Sequence, residues 1–173
     1  ALPDDATRAA GADSALGGIS NVSKSDYDIR FILEVYNAAG ELAKERMVKS
    51  GDATTATFNF RLIPGRDYKF VVWADFVAND SQDDLHYETT NGLRQVAIMD
   101  WTAIDESRDA YTEAVAIENY SGSTQIPNIV LTRPFAKLRV VTNDIKEMIS
   151  VRPAEVKVNY INKFYDTFDA FTE

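Results

Sequence analysis

In YDIRFILEVYNAAGE, which begins at Tyr27, Phe31, Leu33 and Val35 fall on one face of an extended chain and Arg30, Glu34 and Tyr36 on the other. That period of two predicts a strand, and NAAG supplies the turn that ends it. The next stretch, ELAKERMVKSG, mixes helix-favouring Ala, Leu, Lys and Glu with the position where a hairpin returns. A strand over Glu45 to Lys49 is the expectation. The clearest signal is TATFNFRLIPGRDYKFVVWADF. Phe58, Phe60 and Leu62 alternate with Asn59 and Arg61, PGRD turns, and Tyr68, Phe70, Val72 and Ala74 resume the alternation. This predicts a long hairpin with one buried face. Val71 and Trp73 make its second strand apolar on both faces, which places it inside the sheet or under a covering loop, with Trp73 in the core.

From Val77 to Glu113 the pattern weakens into a long polar excursion, with a short strand near Arg94 to Ile98 and a turn of helix near Arg108 to Thr112. In IPNIVLTRPFAKLRVVTN, Pro134 interrupts two apolar runs and marks an edge, a bulge or a crossing between sheets. Ala136, Leu138 and Val140 are the inward set of the second run. DIKEMIS reads as one or two helical turns, and AEVKVNYINKFY as a strand with Val156, Val158 and Tyr160 inward. The final FYDTFDAFTE holds Phe164, Tyr165, Phe168 and Phe171, too many aromatics for a free tail. They pack back on this domain or help contact a second one. About seven strands, hairpin turns and one or two short helices predict an all-β antiparallel β-sandwich.

Composition adjusts this picture at its ends. The 173 residues are 45% hydrophobic and 26% charged, enough for one domain with a real core. We assign it to residues 27–173, after a leader of small and acidic residues over 1–26. A net charge of -9 with scattered basic residues argues against nucleic acid as a partner. No apolar run approaches the ~20 residues of a membrane-spanning helix. Cysteine is absent, which removes thiol catalysis, iron–sulfur clusters and cysteine-based zinc sites. The first residue is Ala1, so a missing signal peptide does not exclude export.

Candidate chemistry is sparse. His86 is the single histidine, and Gly-x-Ser-x-Gly is absent, so a Ser-His-Asp triad has little to build on. A hydrogen-bonded or solvated loop histidine is expected instead. Asp80, Asp83 and Asp84 in NDSQDD are hard ligands suited to Ca²⁺, but Leu85 stands where such a loop needs glycine and the bidentate Glu is out of place. A solvated acidic loop is the plainer reading. No P-loop or dinucleotide fingerprint is present, so no cofactor is expected, and the chain is not read as an enzyme. Trp101 in MDWTAI and Tyr111 are candidate contacts for a glycan or protein ligand on the long excursion.

PGRDYKFVVWADF, RDAYTEAV and LTRPFAKLRVVT, in that order, resemble the fimbrillin-like family of type V pilins and related surface lipoproteins, from about Ser14 to the end of the chain. The resemblance implies a transthyretin-like β-sandwich that is normally the first of two domains. It implies export as a lipoprotein precursor to the outer membrane and cell surface, with a lipid anchor as the membrane contact. It also implies cutting by an arginine-specific protease and growth of a fimbria by donor-strand exchange among pilin subunits, serving adhesion. On that reading Arg8 and Ala9 flank the candidate scissile bond. The alternative is a surface module that binds a host glycan or protein and does not polymerise.

Overall fold

The computed structural model describes residues 22–100, 106–122, 126, 128–135, 159, 161 and 165–172. The chain is all-β, in two antiparallel sheets. Strands β1 (Tyr27–Asn37), β2 (Met47–Gly51), β3 (Tyr68–Ala78) and β6 (Ala110–Ile117) form a four-stranded sheet in the order β2-β1-β3-β6. Strands β4 (Tyr87–Glu88), β5 (Val96–Ile98) and β7 (Thr167–Phe168) form a three-stranded sheet in the order β4-β5-β7. A 3-10 turn at Glu106–Arg108 leads into β6.

β1 and β3 pair along their whole length, from Tyr27 opposite Ala78 to Asn37 opposite Tyr68. Their first face carries Phe31, Leu33, Val35, Phe70, Val72 and Phe76, all buried in one cluster. Their second face carries Ile32, Tyr36, Val71 and Trp73, which pack against Tyr87, Leu93, Val96 and Ala170. The large sheet is therefore covered on both sides, and each fully buried Val, Leu, Ile or Phe contributes about 2 kcal/mol relative to its exposed state. On the second face Trp73 meets Tyr87, Phe135 and Phe168 at ring distances of 5.3, 6.3 and 6.2 Å, which ties the two sheets together.

Four local expectations need correction. The hairpin between Phe58 and Ala74 does not form: β1 and β6 occupy the two edges of β3, leaving no donors or acceptors for the preceding segment. Ala56, Phe58, Phe60 and Leu62 still alternate inward, but they lie across the first face, and residues 55–63 join no ladder among the described residues. The supposed polar face of β1 is buried as well, with Arg30 and Glu34 each 1% exposed. Where helix was expected near Arg108 to Thr112, β6 begins, because Ala110 and Thr112 oppose Asp75 and Trp73 in strand register. The return strand β2 sits slightly later than Glu45 to Lys49, antiparallel to β1.

At the ends of the chain, Val22, ahead of Tyr27, is fully buried in the first cluster. Phe168 and Phe171 pack on the second cluster, whereas Tyr165 is exposed. Most of the leader, Trp101, the inward set Ala136, Leu138 and Val140, the helical turns of DIKEMIS and the run around Val156 and Val158 lie outside the described residues.

Candidate functional site

Residues 79–95 cross from β3 to β5 over the second face and form a strap. What holds it there is polar. Arg30 on β1 lies opposite Asp75 on β3, and its Nε and Nη2 donate to Asp75 Oδ1 and Oδ2 at 2.9 and 2.6 Å, a bidentate fork. Nη1 turns to the strap and donates to the Gln82 carbonyl at 2.8 Å and to Asp84 Oδ1 at 2.7 Å. Asp84 also accepts from the Thr89 N–H and hydroxyl, each at 2.8 Å. Arg46 donates to the Thr89 carbonyl and hydroxyl oxygens. Further along, Glu34 accepts from the Tyr36 hydroxyl and from the Leu93 N–H at 3.0 Å.

The electrostatics follow from this pairing. Burial opposes the Arg30 charge, but bonds to Asp75 and Asp84 hold its pKa above the ordinary value. Burial alone would push the Asp84 carboxyl up, yet the Thr89 donors and Arg30 outweigh it and hold the group below its usual range. Burial lowers the Arg46 pKa, and burial with the Glu34 bond raises that of the Tyr36 phenol. These groups bond to one another across the gap between sheet and strap. Chemically, the network fastens a loop.

A second fastening lies beside it. His86 Nε2 is 2.7 Å from Ser107 Oγ, and the Tyr87 hydroxyl donates to the Arg108 carbonyl at 2.6 Å. The first pair has the spacing of a nucleophile and its base, but Ser107 and His86 are both buried, so the contact docks the 3-10 turn onto the strap. His86 is thus a hydrogen-bonded loop histidine.

Among the described residues an open polar cleft of about 600 Å³ lies where β1 begins and β2 and β3 end. Lys24, Asp28, Ser50, Asp52, Asn79 and Gln82 line it. Asp28 accepts from the Asp80 N–H at 3.1 Å, fixing the first residues of the strap against β1.

Compared with known proteins, the chain matches over residues 2–173 the model of a family of unknown function, DUF6562. The chain belongs to this family. No curated protein and no solved structure matches it. The site of this DUF6562 member therefore rests on its own geometry.

Of the residues singled out by sequence, Arg8, Ala9 and Trp101 lie outside the described residues. Tyr111 is not on a loop: it sits in β6, 1% exposed, because its strand register turns it into the first cluster opposite Ala74. Its hydroxyl meets Asp109 and Arg133 there. Asp80, Asp83 and Asp84 do not converge. Asp84 serves Arg30 and Thr89, Asp83 is exposed, and no metal-holding group of three such side chains occurs among the described residues. Sequence reasoning missed Arg30, Glu34, Arg46 and Asp75. A signal existed for Asp75, an acid inside a run apolar on both faces, which requires a buried partner.

Proposed function

We propose that this chain is a non-catalytic structural subunit of a cell-surface fimbria, exported as an outer-membrane lipoprotein precursor. Removal of the leader by an arginine-specific protease lets a strand from a neighbouring subunit add to the sandwich, and the polymer serves adhesion. The observation that supports this reading is the cover of the first face. Residues 55–63 lay alternate apolar side chains on the sheet without a ladder among the described residues, and Leu131 and Ile129 are buried or packed beside them. A layer that joins no ladder among the described residues suits a sandwich that gains a strand, since strand addition supplies backbone bonds and core side chains together. The test is to treat the full-length precursor with an arginine-specific protease. Cleavage after Arg8 with filaments by electron microscopy, both lost in Arg8→Ala, is expected. Cleavage there without oligomers overturns the reading.

A second reading, a surface module that binds a host glycan or protein, is favoured by the polar cleft. Asn79 and Gln82 from the strap line it beside Asp28 and Asp52. Binding on a glycan array that Asp52→Ala and Asn79→Ala abolish, with no polymer from the full-length protein, would replace the first reading.

A further inference from the structure

We propose that Asn91–Gly92 is a gated self-modification site, where the closed strap withholds the backbone nitrogen that would convert Asn91 into an aspartyl or isoaspartyl residue.

Asn91 is exposed, and Gly92 follows it without a side chain to hinder approach to its nitrogen. In the reaction the Gly92 nitrogen attacks Asn91 Cγ. A nitrogen–Cγ bond forms, the Cγ–Nδ2 bond breaks, and ammonia leaves with the proton the backbone nitrogen gave up. Water then opens the five-membered ring at one of its two carbonyls.

The strap opposes the first step. The Gly92 N–H donates to the Thr89 carbonyl at 3.0 Å, closing a tight turn in which Gly92 has φ +88°. Thr89 cannot drift, because it is 1% exposed and Asp84 and Arg46 fix its N–H, hydroxyl and carbonyl. The nitrogen can lose its proton and attack only when this turn opens. The rate therefore follows the open fraction of the strap.

The product disfavours reclosure. An isoaspartyl link adds a methylene to the backbone just before Gly92, one residue ahead of Leu93, whose N–H must reach Glu34 at 3.0 Å. It also adds a carboxylate to a turn where the space beside Gly92 Cα lies 3.5 Å from Glu34 Oε1. Opening is thereby recorded covalently and in one direction.

The test follows modification at position 91 by peptide mass spectrometry of the whole chain in mildly alkaline buffer, with and without urea. The folded chain should react at least about tenfold more slowly than the unfolded one. Arg46→Ala should speed the folded reaction, and Asn91→Gln should stop it. Equal rates in folded and unfolded chains overturn the proposal, as does a folded Arg46→Ala no faster than wild type. If Arg46→Ala does not fold, wild-type hydrogen exchange decides. The Gly92 amide must be protected, and exchange and modification must rise in parallel as urea is added below the unfolding midpoint. A divergence between them overturns the proposal equally.

Discussion

Arg30 and Asp75 face each other directly across β1 and β3, joined by two hydrogen bonds of 2.9 and 2.6 Å with both side chains 1% exposed. A buried pair gains little over apolar side chains of the same size, but losing one partner strands a charge in the core. Arg30→Met should therefore destabilise the fold by about 3–5 kcal/mol. Arg30→Met with Asp75→Leu should recover part of that loss. Urea midpoints of the single and double variants check it, and the double should still lose the strap contact to Asp84.

Acid should loosen the strap before the rest of the fold. The folded-state pKa of Asp84 lies below its ordinary 3.8. Its ionised form therefore contributes stability above that value, and the contribution is lost as pH falls through the lower folded value. Hydrogen exchange of the Thr89 and Leu93 amides should accelerate below about pH 4, ahead of global unfolding seen by far-UV circular dichroism. Asp84→Asn should remove most of the difference.

Phe171 is held by cations on its ring, with Lys69 Nζ and Arg94 Cζ each 4.4 Å from the centroid, and by the Tyr36 ring at 4.9 Å. Phe171→Ala should cost about 2–4 kcal/mol, while Lys69→Ala should cost about 1 kcal/mol. The distinguishing measurement is exchange at Ala170, whose N–H donates to the Leu93 carbonyl at 2.9 Å. Phe171→Ala should unprotect it, and Lys69→Ala should do so weakly.

Gly92→Ala should destabilise by about 1–2 kcal/mol, because φ +88° is unfavourable for any residue with a Cβ. Thermal melts of this variant beside Asn91→Ala separate the backbone effect from loss of a side chain. Asn91→Ala should be nearly neutral.

The elements with an unbroken period of two were legible in the sequence. β1 and β3 follow from alternation, and the two-sided apolar character of Val71 and Trp73 marked β3 as interior. Pairing was harder to read, because it is decided by competition among distant segments. Phe58 to Leu62 has the pattern of a partner for β3, but β1 and β6 occupy both edges. The polar network was hidden for a related reason. Arg30 and Glu34 alternate like solvent-facing residues, and their strap partners Asp84 and Leu93 lie far along the chain. Tyr111 misled in the opposite sense, since an aromatic after a polar loop resembles a contact residue until strand register turns it inward.

The two covers of the large sheet are also mechanically unequal. Over the second face the strap belongs to a hydrogen-bonded sheet and is riveted by Arg30, Asp84 and Thr89. Over the first face, among the described residues, 55–63 rest chiefly on Ala56, Phe58, Phe60 and Leu62, with polar ties from Lys49 Nζ to the Thr57 carbonyl and between Tyr68 and Ile63. A pull on the chain meets many short, directional bonds loaded together on one side and a zipper of greasy contacts on the other. Tension would peel the first face while the strap stays seated, giving the sandwich a built-in order of yielding.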